Sequence, residues 1–110
     1  MNGGYVYLIA EWDRMEEDKN PVKIGFTRDS IENRMKELQT GNSSGLHVLS
    51  WFETKNPLRL EKMLHLHYFK SKINREWFLF SDRDVLDFKK ICEYKEKVIE
   101  LLKRENCYFS

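Results

Sequence analysis

Three stretches of the chain carry apolar residues of the kind or the spacing that is typical of β-strands. Residues 5–10 and 22–27 are rich in β-branched and aromatic side chains, and a polar loop and Pro21 separate them. Residues 46–53 alternate apolar and polar positions, which predicts a third strand. A shorter apolar run at residues 77–80 predicts a buried strand or extended piece that packs on the sheet.

Three further segments repeat apolar residues at helical spacing. Their starts carry pairs of residues typical of helix N-termini: Asp29 with Glu32, Asn56 with Pro57, and Ser81 with Asp84. The first helix is expected to stop at Gly41, before a turn over residues 41–45, and the second to run to about residue 69. The predicted order is β-β-α-β-α, the short apolar piece, and a last helix.

Size and composition indicate one compact domain. The chain has 110 residues, the usual length of a single domain, and its three Trp, five Tyr and seven Phe supply a large apolar core. Cys92 and Cys107 lie in the last helical segment and its tail, and the N-terminus does not look like a secretion signal. No apolar run approaches the length of a membrane span. We therefore expect a cytoplasmic protein that does not enter a membrane.

The formal net charge is only +1, which is small for a protein that binds a polyanion. The cations are nevertheless unevenly distributed along the chain. They cluster early, at Lys19, Lys23, Arg28, Arg34 and Lys36, and again after the second helix, at Lys70, Lys72 and Arg75. Both a local basic face and an ordinary solvated surface are compatible with this pattern.

Four ionisable residues lie on successive predicted elements, and a strand has no structural need for the two that lie on strands. Tyr7 and Lys23 lie on the first two strands, Arg34 on the first helix and Glu61 on the second. A tyrosine can accept a proton, an arginine can hold a phosphate, and a glutamate can bind a divalent metal ion. Together these are the parts of a phosphodiesterase.

Each of these residues also has a simpler explanation. Tyr7 could be a half-buried aromatic residue, and Lys23 could be an edge-strand charge that discourages aggregation. Arg34 could be a solvated helix residue paired with Glu37 or Ser30. Glu61 and His65, four residues apart, could be a plain surface pair.

Several motifs in order resemble the GIY-YIG nuclease superfamily, in particular its short phage and bacterial branch with KIG in place of YIG. They are Tyr5-Val6-Tyr7, Lys23-Ile24-Gly25, Arg34, Leu38-Gln39-Thr40-Gly41, Glu61-Lys62-x-Leu64-His65 and Glu76-Trp77-Phe78. The resemblance implies a small α+β domain with a three-stranded, mostly antiparallel sheet flanked by helices. Residues 1–85 would form the nuclease-like core, and residues 86–110 a C-terminal helical extension packed on it.

The resemblance also implies a role for each residue. Tyr7 would accept a proton from the attacking water or orient it, Arg34 would contact the scissile phosphate, and Glu61 would hold a single Mg²⁺ or Mn²⁺. Lys23 stands where the second tyrosine usually is, and His65 matches a histidine common in this branch. If the first two strands pair, Lys23 can favour the phenolate of Tyr7, or act as the base itself.

The resulting prediction is a Mg²⁺- or Mn²⁺-dependent endonuclease that hydrolyses phosphodiester bonds in DNA. The sequence leaves open whether the DNA is single- or double-stranded, and whether the substrate is DNA or RNA. The alternative is a non-catalytic module that binds nucleic acid or protein on a degenerate fold of the same kind. The specificity of a domain this small is expected to be low unless a homodimer or a protein partner supplies it.

Overall fold

The computed structural model of the chain describes residues 3–40 and 45–105. Within these ranges the strands are β1 Gly4–Glu11, β2 Asn20–Thr27, β3 Leu46–Thr54 and β4 Trp77–Phe80, and the helices are α1 Ile31–Thr40, α2 Pro57–His67 and α3 Asp82–Glu105. Two 3₁₀ turns are Trp12–Arg14 and Phe69–Ser71. The predicted helix stop at Gly41, most of the predicted turn at residues 41–45, and Cys107 lie outside the described residues.

The described strands form one antiparallel sheet in the order β3-β1-β2-β4. The expectation of three strands was wrong, because the apolar piece that starts at Trp77 pairs with β2 as a fourth strand. Lys23 lies opposite Ile9 of β1 on one side and Trp77 of β4 on the other. It is therefore an interior residue of the sheet, and the alternative of an edge-strand charge was also wrong.

The two faces of the sheet are buried under different helices. Successive side chains of a strand point to opposite faces, so Val6 and Leu8 lie on one face of β1 and Tyr7 and Ile9 on the other. The first face packs against α2 and α3 in the main core; this cluster also contains Val22, Ile24, Leu60, Leu64, Phe78, Phe80 and Phe88. The second face packs against α1 through Ile31, Met35 and Leu38.

Helix α3 contributes to the main core along much of its length. Phe88, Cys92 and Ile99 are fully buried in the same cluster as the strand residues. The division of the chain into residues 1–85 and 86–110 stays a prediction. Among the described residues, no helix is long and apolar enough to cross a lipid bilayer.

Side chains at the helix starts explain where two of the helices begin. Ser81 and Asp84 exchange hydrogen bonds at the start of α3, each donated by a backbone N–H to the other's side chain over 3.1 Å, which confirms the predicted cap. The predicted cap at Asp29 was wrong, because Ser30 Oγ accepts the first-turn N–H of Asn33. Asp29 instead accepts the N–H of Ser30.

The burial of Ile99 predicts that α3 is needed for stability beyond residue 85. We expect Ile99→Ala to lower the free energy of unfolding by about 2–5 kcal/mol, because it leaves a cavity in the core. The matched control is Leu86→Ala on the same helix. Leu86 is 77% exposed, so its truncation should change stability by under about 0.5 kcal/mol. Urea unfolding measures both, and equal small effects would show that α3 packs only loosely.

The buried thiol of Cys92 predicts how stability depends on pH. Burial raises the pKa of this thiol to about 12. Above about pH 9 the thiol of the unfolded chain ionises while the folded thiol stays protonated, so the free energy of unfolding should fall as pH rises. Urea unfolding from pH 8 to 10 should show a steeper fall in the wild type than in Cys92→Ala. Identical slopes would contradict the burial of the thiol.

Candidate active site

Tyr7 sits in the middle of β1 with its ring lying across the backbone of β2. The strand register places it opposite Gly25, and only 2% of the residue is exposed. A Cβ atom on Gly25 would lie 2.5 Å from the Tyr7 hydroxyl oxygen and 2.7 Å from the carbon that bears it. Gly25 is therefore required because any side chain there would occupy the position of the tyrosine ring.

Arg34 on α1 provides the cation that contacts this tyrosine. Its Nε–H donates a hydrogen bond of 3.1 Å to the Tyr7 hydroxyl oxygen, and its Nη1 donates one of 3.1 Å to Glu37. The bond to Tyr7 raises the pKa of Arg34, partial burial opposes this rise, and Glu37 adds to it. The guanidinium has five N–H donors, and these two bonds use two of them.

Lys23 lies on the same face of β2 as Gly25, two residues away. Its Nζ atom is 3.3 Å from Oε1 of Glu76, the residue just before β4. The carbonyl oxygen of Glu76 accepts the N–H of Ile24 over 3.1 Å, so the backbone also holds Glu76 beside β2. The ammonium thus pairs with Glu76, whereas the group bonded to the Tyr7 hydroxyl is Arg34.

Glu61 and His65 approach β2 from α2. The Nε2 atom of His65 lies 3.1 Å from the carbonyl oxygen of Ile24 and 4.0 Å from Oε2 of Glu61. The His65 ring also meets the ring of Phe78 edge-on, with 5.0 Å between centroids. These contacts anchor this face of α2 to the middle of β2.

The carboxyl group of Glu61 is partly buried among other charges. Burial raises its pKa above the usual range, and the charge of Glu76 adds to this rise. Electrostatic attraction from three nearby basic side chains opposes it, namely His65, Lys62 and Lys23. Lys23 and Glu76 therefore act on Glu61 as well as on each other.

All five residues predicted from the sequence lie around three consecutive residues of β2. Gly25 lies against Tyr7, the carbonyl of Ile24 contacts His65, and Lys23 pairs with Glu76. Tyr7 and Arg34 form one contacting pair, and Glu61 and His65 form the other. Each pair therefore contacts this three-residue segment through one of its members.

The sequence prediction missed two residues that shape this cluster. Glu76 was seen only as part of the Glu76-Trp77-Phe78 motif, although it pairs with Lys23 and acts on Glu61. Gly25 was seen only as part of Lys23-Ile24-Gly25. Membership in these motifs was the available signal, but the contact partners depend on strand register and could not be read from it.

The carboxylate of Glu61 is the group expected to hold a divalent metal ion. No group of three or more His, Cys, Asp or Glu side chains that could hold a metal ion occurs among the described residues. Glu61 offers hard carboxylate oxygens, which Mg²⁺ accepts when water and substrate phosphate complete the coordination shell. Burial and the charge of Glu76 both disfavour its anionic form, and a bound cation would offset both effects. The site therefore fits a metal ion shared with substrate.

The fold and the cluster define a small antiparallel α+β domain with a tyrosine–arginine pair and a glutamate around one strand. The chain belongs to the T5orf172 domain family, which it matches over residues 4–93, and this domain is associated with phage and bacterial endonuclease-like proteins. No curated protein and no solved structure matches the chain.

The close contact between Gly25 and Tyr7 predicts a variant that disturbs the cluster selectively. Gly25→Ala should push the Tyr7 ring aside, separate its hydroxyl from Arg34 and lower the free energy of unfolding by about 1–3 kcal/mol through overpacking. Gly45→Ala is the control, because a Cβ atom there would meet only Nε2 of His47 at an ordinary 3.6 Å.

Urea unfolding and the near-ultraviolet circular dichroism of the tyrosines measure the outcome. Gly25→Ala should change both, and Gly45→Ala should change neither. Equal stability of the two variants would contradict the close packing of Tyr7 on β2.

Proposed function

We propose that this protein is a divalent-metal-dependent endonuclease of the GIY-YIG type that hydrolyses phosphodiester bonds in DNA. Its family is associated with endonuclease-like proteins. The observation that carries the proposal is the gathering of Tyr7, Arg34 and Glu61 around the Lys23–Gly25 segment. These residues bring together a tyrosine hydroxyl, a guanidinium and a partly buried carboxylate, the groups that hydrolysis of a phosphodiester can use.

Arg34 would bind the scissile phosphate. Its planar guanidinium matches two phosphate oxygens, and charge develops on these oxygens as the phosphorus is attacked. The bond to Tyr7 and the bond to Glu37 hold the guanidinium in one orientation before substrate arrives. Substrate binding then requires little reordering of this side chain.

Tyr7 would receive the proton of the attacking water. A tyrosine accepts such a proton as the phenolate, and the Nε–H of Arg34, which donates to the Tyr7 hydroxyl oxygen over 3.1 Å, would stabilise this anion. Burial of the ring against Gly25 fixes the direction in which the hydroxyl points.

Glu61 would hold the divalent metal ion, and His65 would position Glu61. When bound, Mg²⁺ or Mn²⁺ supplies charge stabilisation to the phosphate and to the departing 3′ oxygen. The contact of His65 with the Ile24 carbonyl anchors the helix that carries Glu61. Lys23 and Glu76 set the charge balance around the carboxylate, so that loss of the lysine leaves two acidic groups together.

The proposal predicts which substitutions abolish cleavage. Wild-type protein should nick labelled single- or double-stranded DNA in Mg²⁺ or Mn²⁺ and be inactive in EDTA. Glu61→Gln, Arg34→Lys and Tyr7→Phe should each slow cleavage by about 10²-fold or more, because each removes a group that acts in the transition state. Rates from single-turnover gel assays, with folding checked by circular dichroism, give the measurement.

Two conservative substitutions on α3 serve as matched controls. Glu93→Gln and Arg83→Lys make the same chemical changes at exposed positions and should cleave like the wild type. Equal rates for Glu61→Gln and the wild type would overturn the proposal. Tight DNA binding by the wild type without cleavage in either metal would support the binding module instead.

A further inference from the structure

A cavity of about 430 Å³ opens beside the first turn of α2, away from the Tyr7–Arg34 pair. None of the described residues that line it is acidic. Five of them are cations, namely Arg28, Lys55, Arg59, Lys62 and Lys103. We call this the basic cavity. In a chain of formal net charge +1, five cations around one cavity are a strong local excess.

A polar network ties the wall of the basic cavity to α3. The side-chain amide of Asn56 donates a 2.7 Å hydrogen bond to Glu100, and its oxygen accepts one from Lys103. The buried hydroxyl of Thr54 donates to Glu96 over 2.6 Å and accepts the N–H of Asn56. Glu96 and Glu100 thus contact the turn before α2, and neither of them lines the cavity.

The start of α2 adds to this preference for anions. Asn56 is the residue before the helix, but its side chain bonds to α3 and not to the first turn of α2. The first-turn residues, including Leu58 and Arg59, line the basic cavity. Their backbone N–H groups lie at the positive end of the helix dipole, where anions are favoured.

Two residues that line the basic cavity lie on or next to α2 and β2, which also carry residues of the candidate active site. Lys62 directly follows Glu61 and already acts on its pKa. Arg28 follows the end of β2, three residues after Gly25, and its guanidinium lies 5.5 Å from the ring centre of Phe26. Lys62, which lines the cavity and acts on Glu61, therefore connects the basic cavity to the candidate active site.

We propose that the basic cavity binds backbone phosphates of DNA that flank the bond to be cut, an assignment that rests on the proposed function. Phosphate is the chemical class that matches five cations, helix N–H groups and no lining carboxylate. Contacts of this kind set the register of the nucleic acid without reading its bases. The cavity thus supplies affinity, and it does so independently of sequence.

The test measures binding of fluorescein-labelled 20-base-pair duplexes, and of the corresponding single strands, by anisotropy at 50–200 mM KCl in EDTA. Lys55→Gln should weaken binding by roughly 5- to 10-fold at 0.1 M salt. It should also reduce the salt slope, which is the steepness with which the logarithm of the binding constant falls with the logarithm of the salt concentration, by about 1, as expected for the loss of one phosphate contact. Arg28→Gln combined with Lys55→Gln should reduce the slope by about 2. Two duplexes of unrelated sequence should be affected equally.

Lys90→Gln is the control, because it removes the same charge from an exposed position on α3 that does not line the cavity. It should bind DNA like the wild type, and melting curves should show that all variants fold. If Lys55→Gln and the double variant bind with the affinity and salt slope of Lys90→Gln, the inference is overturned.

Binding and cleavage failures are distinguishable in this design. EDTA removes the metal needed for cleavage, so the salt slopes report on the basic cavity whether or not the wild type cuts DNA. A wild type that binds neither duplex nor single strand at 50 mM salt would overturn the cavity assignment and favour an acidic protein partner. A wild type that binds through the cavity but never cleaves in Mg²⁺ or Mn²⁺ would overturn only the nuclease proposal.

Discussion

The antiparallel register between β1 and β2 is the constraint on which the candidate site depends. It places Tyr7 opposite Gly25 and Ile9 opposite Lys23. A slip of one residue would turn the side chains of one strand to the opposite face, so that either Tyr7 or Lys23 would point toward α2 and α3. It would also bring a side chain to the position that Gly25 leaves open for the tyrosine ring. The register is specified because both faces of the sheet are buried.

The ionisable groups of the site are paired with one another before any ligand is present. Arg34 bonds to Tyr7 and Glu37, and Lys23 pairs with Glu76. Such pairs hold charged side chains in place at the edge of the core, where an unpaired charge would be costly. Glu61 lies 4.0 Å from His65, but burial and Glu76 disfavour its charged form. A divalent cation and a phosphate together would complement this distribution.

Much of the secondary structure could be predicted from local pattern, and the failures have physical causes. The β-favouring residues of β1 and β2, the alternation in β3 and the Ser81–Asp84 cap are local features, and the structure has strands and a cap there. The piece at Trp77 was recognised as apolar, but its pairing with β2 is a long-range contact. The cap of α1 was assigned to Asp29 because Glu32 follows it three residues later, as in a capping box, but Ser30 caps the helix in the structure.

The sequence alone determined the order of elements, the apolar faces and the residue types that can handle a phosphate, because these depend on spacing and on side-chain chemistry. Only the tertiary structure decided which groups meet. Arg34 reaches Tyr7, Glu76 reaches Lys23, and five cations surround one cavity beside α2. Each of these contacts joins residues far apart in the chain. Strand pairing and helix packing bring them together, and a one-dimensional pattern does not contain that information.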